Sequence, residues 1–324
     1  MKRIITLIIS AILLVTLFAG CDTALNNEKI KVITTVFPIY DWTENIIGKN
    51  NNNIELTMLL DTGVDLHSFQ PTAKDILTIS DCDVFIYVGG ESDEWVEDAL
   101  KEAHNKDMIT LNLMEIIGEN ALSEELKEGM QDEEHDHDDE EEHDEELDEH
   151  IWLSLKNAKI ATTAIAEALG EKDADNKENY KKGADEYIEK IDNLDSLYSE
   201  AVNNADYKTL VIADRFPFAY MFRDYGLDYY AAFKGCSAET EASFETIIFL
   251  ANKVDELGLK SIIKIETSDG AIAKTVKNNT KQKNAEIVSL NSLQSITEKE
   301  KSEGADYLKI MTDNLNTLKK VIYK

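Results

Sequence analysis

The sequence predicts an α/β protein made of two similar parallel-sheet lobes joined by one long rigid helix. Three observations predict it. After the first 30 residues, short β-rich runs alternate with helical patterns along the whole chain, the order that parallel sheets covered by helices require. The roughly 300 residues that follow the leader exceed what a single hydrophobic core usually serves. Between the two alternating halves, residues 176–203 contain no proline and one glycine, Gly183. Their apolar members Tyr180, Tyr187, Ile188, Ile191, Leu194 and Leu197 recur at helical spacing, giving a helix of about 25–30 residues and roughly 40 Å.

The leader sets the compartment. Lys2 and Arg3 precede an apolar run over residues 4–18, and Ala19 and Gly20 lead into Cys21. This is the pattern of a secretory signal peptide over residues 1–20, too short to span a bilayer comfortably. Its end, Phe18-Ala19-Gly20-Cys21, resembles a bacterial lipobox. That likeness implies lipidation of Cys21, a tether over 21–29 and an extracytoplasmic chain anchored to the cell membrane. The first lobe is expected over 30–175, with strands at 31–36, 54–60, 84–88 and 108–111. Pro71 stands where a helix would start, and residues 73–80 carry the spacing to continue it. The connecting helix takes 176–204. The second lobe takes 205–324, with strands at 210–213, 229–233, 261–265 and 286–290.

The formal charge of -31 is unevenly spread. Much of it falls in 131–149, an acidic, histidine-bearing tract that cannot bury a core and is read as a disordered insertion in the first lobe. A nucleic-acid partner is excluded on this balance. Two cysteines follow the leader. Cys82 precedes a buried strand and reads as a small core residue, and Cys236 lies in a Gly-Cys-Ser loop. A disulfide between them is not favoured, and no structural zinc spacing is present.

The six histidines carry the chemistry. His135, His137 and His143 lie within the acidic tract, where imidazole and carboxylate groups on a mobile string trap divalent ions weakly. The alternative there is a plain solvated spacer. His150 closes the tract and opens His150-Ile151-Trp152-Leu153-Ser154. His67 stands in Gly63-Val64-Asp65-Leu66-His67-Ser68-Phe69-Gln70-Pro71, and His104 reads as a surface side chain.

These segments resemble the zinc- and manganese-type ABC transporter solute-binding lipoproteins. The stretch from Val32 to Tyr40 is similar to their first strand and turn, and Gly63 through Pro71 to Asp83 to their first ligand loop and following helix. The His150–Ser154 segment is similar to their second ligand segment, and Arg223-Asp224-Tyr225-Gly226-Leu227 to the region after the third. The resemblance implies a metal cleft between the lobes, His67 and His150 as ligands, an ABC permease as partner and a monomeric chain.

The pattern then departs from the family. The position of the third ligand holds Arg215, and that of the last acidic ligand holds Asn291. A guanidinium about 4 Å from a dication would cost on the order of 8 kcal/mol at an effective dielectric near 20, and arginine cannot shed its proton. Three readings stay open. Asp214, Glu239 or Glu241 completes the site. Alternatively, Arg215 pairs with Glu239, Glu241 or Glu266 and shapes the cleft wall, leaving water or the tract to complete a first-lobe site. In the third, the ligand is a metal chelate whose anionic groups suit an arginine. Cys236 is either a soft ligand or an inert loop thiol. Asp65 either orients His67 or stabilises its turn, and Trp152 anchors His150.

Two histidines and few acidic ligands favour Zn²⁺ over Mn²⁺, with Ni²⁺ also open. There is no His-Glu-x-x-His, nucleophile elbow or phosphate loop, so an enzyme is not expected. The function predicted is the extracytoplasmic metal-binding component of an ABC importer. A surface lipoprotein that buffers metal or adheres without feeding a transporter is the alternative.

Overall fold

The computed structural model describes residues 29–49, 51–61, 63–131, 146–237 and 241–324. Cys21, His135, His137, His143 and Glu239 lie outside them. The first sheet comprises β1 (Ile30–Thr34), β2 (Ile54–Met58), β3 (Val84–Tyr87) and β4 (Ile109–Asn112). The second comprises β5 (Thr209–Arg215), β6 (Asp228–Phe233), β7 (Ser261–Ile265) and β8 (Glu286–Leu290). All pairings are parallel, in the orders β2-β1-β3-β4 and β6-β5-β7-β8. The two lobes therefore share one topology. In each, the chain leaves its first strand to one side and returns to the other, which opens a crevice at the carboxyl ends of the strands.

Between the lobes runs α6 (Lys177–Asn203), following α1 (Phe37–Ile47), α2 (Ala73–Ser80), α3 (Trp95–Lys101), α4 (Leu113–Ile117) and α5 (Leu155–Lys172). The stripe Tyr180, Ala184, Tyr187, Ile191, Leu194, Tyr198 and Ala201 on α6 is buried, so burial of one face stabilises this helix rather than propensity alone. Gly183 stands inside this continuous helix for a steric reason: a side chain there would collide with the Ile46 carbonyl of α1. The second lobe adds α7 (Ala219–Tyr225), α8 (Phe244–Leu257), α9 (Ala271–Asn279), α10 (Glu298–Ser302) and α11 (Tyr307–Ile322). Helix α2 begins at Ala73 behind a capping box of Thr72 and Asp75, so Pro71 lies just outside the helix it was expected to open.

The tyrosines of α6 are tied down at their tips. Tyr198 Oη donates to Met311 O at 2.6 Å, and Tyr187 Oη donates to Asp41 Oδ2 at 2.7 Å. Burial pushes the Asp41 carboxyl up to about 7 despite that hydrogen bond. A carboxyl with a raised folded-state pKa binds more protons folded than unfolded, so stability falls as pH rises from about 4 to about 7. Asp41→Asn is therefore expected to raise the melting temperature at pH 8 and to flatten its pH dependence over that window. Thermal melts at several pH values check this, and an equal gain at every pH would refute the burial account.

Candidate metal centre

Every side chain of the centre comes from a segment leaving the carboxyl end of a strand or from the 148–150 turn. His67 sits in a 3₁₀ turn, Leu66–Ser68, whose cap is Asp65: its Oδ1 accepts from His67 N at 3.1 Å. The buried Leu66 side chain pins this turn to the core. His150 precedes a second 3₁₀ turn, Ile151–Leu153, and is 0% exposed. The second lobe fixes that segment. Trp152 Nε1 donates to Ser292 O at 2.8 Å, Tyr307 Oη donates to Trp152 O at 2.6 Å, and Tyr220 Oη donates to Asp148 O at 2.7 Å.

The two imidazole planes are tilted 57° to one another, with their Nε2 atoms 3.2 Å apart. Their other nitrogens point away: His150 Nδ1 to Asp148 Oδ1 at 2.8 Å, His67 Nδ1 to Ser92 Oγ at 2.8 Å. Glu149 Oε2 lies 3.4 Å from His67 Nδ1, near enough to attract its N–H though outside hydrogen-bond geometry. With both Nδ1 atoms facing acceptors, the lone pairs belong to Nε2 and converge. Two nitrogens about 2.05 Å from one tetrahedral ion stand about 3.3 Å apart, which the observed spacing nearly matches.

Cys236 is the third candidate donor. Its sulfur and the two imidazoles offer ligand atoms that all lie within 4.8 Å of one another. Tetrahedral geometry needs roughly 3.6 Å between sulfur and nitrogen, so a closure of about an ångström brings all three onto one ion. Cys236 N donates to Glu124 Oε1 at 2.9 Å, holding the loop against the first lobe. Gly235 allows that approach, since a Cβ there would lie 2.9 Å from Phe216 O and 3.2 Å from His150 Cε1. Among the described residues, Cys82 and Cys236 are free thiols.

Electrostatics divide the two imidazoles. Burial, then the neighbouring His150, pushes His67 down to about 3. Burial also disfavours charge on His150, but Asp148, with Glu124 and Glu149 behind it, outweighs this and raises its pKa. Of the two imidazoles, His150 is therefore the one that takes up a proton. Burial and the same carboxylates push the Cys236 thiol up. Outside the donors, a cavity of about 690 Å³ lined by Glu91, Glu94, Glu124, Glu146 and Glu149 opens onto His67 and Cys236. Its charged lining is made of these carboxylates, set among Phe69, Gln70, Ser92, Trp95 and Leu147, so the local field attracts a cation.

Several expectations are corrected by this geometry. Asp214 is no ligand here: its carboxylate accepts from Arg215 N at 3.0 Å and Ile265 N at 3.4 Å. Glu241 is exposed ahead of α8 and adds no donor to the cluster. Arg215 pairs with neither Glu241 nor Glu266. Its Nη2 donates to Asp65 Oδ2 at 2.9 Å, bridging the lobes beside His67. Burial would raise Asp65, but the guanidinium holds it below the usual carboxylate range. Glu266 instead accepts from Ser292 N and Oγ, both at 2.8 Å.

Asn291 turns away from the centre as well. Its Oδ1 accepts from Leu293 N at 2.7 Å, and Gln294 three residues on faces the histidines. Leu293 has φ 62, and this reversal rotates Gln294 inward. Finally, the acidic tract does not end as a spacer. Leu147 bridges to Ser123, and Asp148 and Glu149 are buried against the imidazoles. Their presence in a uniform acidic run concealed them.

Two parallel α/β lobes on a common helix, with nitrogen and sulfur donors gathered in the cleft, define the architecture of a two-lobed binding protein. The chain belongs to the family described as zinc-uptake complex component A, periplasmic, which matches residues 32–321. It is 31% identical over 295 residues to the zinc-binding protein AdcA of Streptococcus pyogenes serotype M6, covering 90% of this chain and 56% of that protein. It therefore spans little more than half the length of that relative. It is 32% identical over 293 residues to the high-affinity zinc uptake system protein ZnuA of Bacillus subtilis, covering 90% of this chain and 87% of that one. Among solved structures, the Zn(II)-bound ZnuA-like domain of Streptococcus pneumoniae AdcA superposes with a TM-score of 0.71 at 28% identity, covering 91% of this chain and 100% of that domain.

Proposed function

We propose that this chain is the extracytoplasmic component of an ABC importer that captures Zn²⁺ between its lobes on His67, His150 and Cys236. The observation that carries this reading is the 3.2 Å convergence of two Nε2 lone pairs, each fixed by an acceptor on the far side of its ring. Family membership and the zinc-binding and zinc-uptake functions of the relatives support it. A thiolate beside two imidazoles suits Zn²⁺ better than Mn²⁺, which prefers oxygen donors. Among the described residues no helix is long and apolar enough to cross a membrane. Attachment through a lipid on Cys21, docking to a permease and a monomeric state complete the proposal.

The test separates the buried centre from the acidic tract. Full-length chain and a variant lacking residues 132–145 are titrated with Zn²⁺ in a calorimeter. Both should show one tight site per chain, and the deletion should lose only weak additional binding. Loss of the tight site with the tract would place capture on His135, His137 and His143 instead.

A further inference from the structure

Arg215 ties together the two loops that carry His67 and Cys236. Its Nη2 donates to Asp65 Oδ2 at 2.9 Å, and its Nη1 donates to Ser237 O at 3.3 Å. Asp65 caps the 3₁₀ turn of His67 through its other oxygen, Oδ1, which accepts from His67 N at 3.1 Å. Ser237 directly follows Cys236 in the loop that leaves β6. One guanidinium thus joins a first-lobe turn to a second-lobe loop, each within two residues of a proposed donor. Its two N–H arms are fixed relative to one another, which suits it to hold two acceptors at a set spacing.

The backbone places the guanidinium there. The register of β5 against β6 shifts between Ile212 and Arg215, and such an irregularity re-aims the side chain that follows it. Asp214 fixes the result, its carboxylate accepting from Arg215 N at 3.0 Å and Ile265 N at 3.4 Å. The Arg215 and Asp65 side chains are 17% and 19% exposed, so water weakens this pair less than it would a surface pair. Beside burial and His150, the Arg215 charge also lowers the His67 pKa, so it is felt at the centre. A positive group at that range repels a dication. Arg215 therefore helps binding only if its placement of the donors gains more than the repulsion costs.

Resting on the zinc reading above, we propose that Arg215 is a positioning residue for Zn²⁺: a clasp across the cleft that sets the spacing between the His67 turn and the Cys236 loop and so retains the captured ion. The sulfur stands within 4.8 Å of the imidazole nitrogens and must come nearer to share an ion with them. With the clasp in place, that movement is short and the two loops make it together. Without it they move separately, and the ion leaves through the gap between them. Dissociation is the step the clasp controls.

Arg215→Met in the full chain decides the sign. Removing the positive charge alone would tighten Zn²⁺ binding. Losing the clasp should instead weaken it about tenfold or more, with the loss in a faster dissociation followed by stopped-flow capture on a chelating dye. Arg215→Lys keeps the charge but not the fork, and should also bind more weakly than the parent. Asp65→Asn keeps an oxygen for His67 N and breaks the bridge from the other side. The double variant should then lose no more than the worse of Asp65→Asn and Arg215→Met. In the Co²⁺-loaded parent a thiolate-to-cobalt absorption is expected, and in Arg215→Met it should weaken as the Cys236 loop draws away from the imidazoles. Binding at or above the parent's level in either Arg215 variant, or losses that add in full in the double variant, would overturn the clasp. A parent without the thiolate absorption would fail the underlying donor set, a result that the affinity series reads separately.

Discussion

His150→Ala is expected to lower Zn²⁺ affinity by about 100-fold or more, the largest loss of any single substitution in this chain. The imidazole is wholly buried, its tautomer is set by Asp148, and its Nε2 lies 3.2 Å from the second imidazole. Removing groups that merely orient a ligand costs 10–100-fold in many metal sites, so removing the ligand should exceed that. Melting curves of the metal-free variant show whether the fold survives. His104→Ala is the control, since His104 is exposed and paired with Asp81 at 3.1 Å on the surface.

The same residue governs pH. A raised pKa means that protonation of His150 begins nearer neutrality than for an ordinary histidine, while His67, near 3, stays neutral throughout. Zn²⁺ affinity of the parent should then fall more steeply below the His150 pKa, the imidazole proton adding about tenfold per pH unit to the dependence that the Cys236 thiol imposes at all pH. In His150→Ala that added steepness should vanish and the thiol dependence remain. A steepening that survives there would assign the second proton to another group.

Cys236→Ser carries the second large effect. Burial and then Glu124, Asp148 and Glu149 keep the thiol protonated in the metal-free protein, so Zn²⁺ must displace that proton to gain a thiolate ligand. The parent should release about one thiol proton per ion at pH 8, measurable by calorimetry in buffers of different ionisation enthalpy. The serine variant should release none from this position and should lose about tenfold or more in Zn²⁺ affinity. Its preference for Zn²⁺ over Mn²⁺ should narrow, because a hydroxyl is a harder donor. Equal proton release by both proteins would remove Cys236 from the shell.

The architecture was legible because its signals are local. Eight short apolar runs bounded by turns each became a strand, with ends displaced by no more than two residues, and the recurrence of Tyr180, Tyr187, Ile191 and Leu194 specified the connector, although Leu197, counted in the same stripe, is exposed. His67 and His150 were singled out because their flanking segments resemble the family's ligand segments, and the structure places the two rings together. The rest depends on contacts remote in sequence. Arg215 finds Asp65 150 positions away, and no composition rule distinguishes that partner from Glu241 or Glu266. Cys236 lacks a spaced partner cysteine, so only the fold reveals that its loop leaves β6 beside both histidines. Gln294 escaped register counting because counting assumes a smooth path, and the positive φ of Leu293 breaks it. Asp148 and Glu149 were hidden by neighbours of the same charge.

X-ray absorption at the zinc edge of the loaded, full-length protein tests the donor set most directly. Two imidazole nitrogens near about 2.0–2.1 Å together with one sulfur near about 2.3 Å are predicted. A shell of oxygen atoms alone, without imidazole or sulfur scattering, would contradict the placement of the ion between His67, His150 and Cys236.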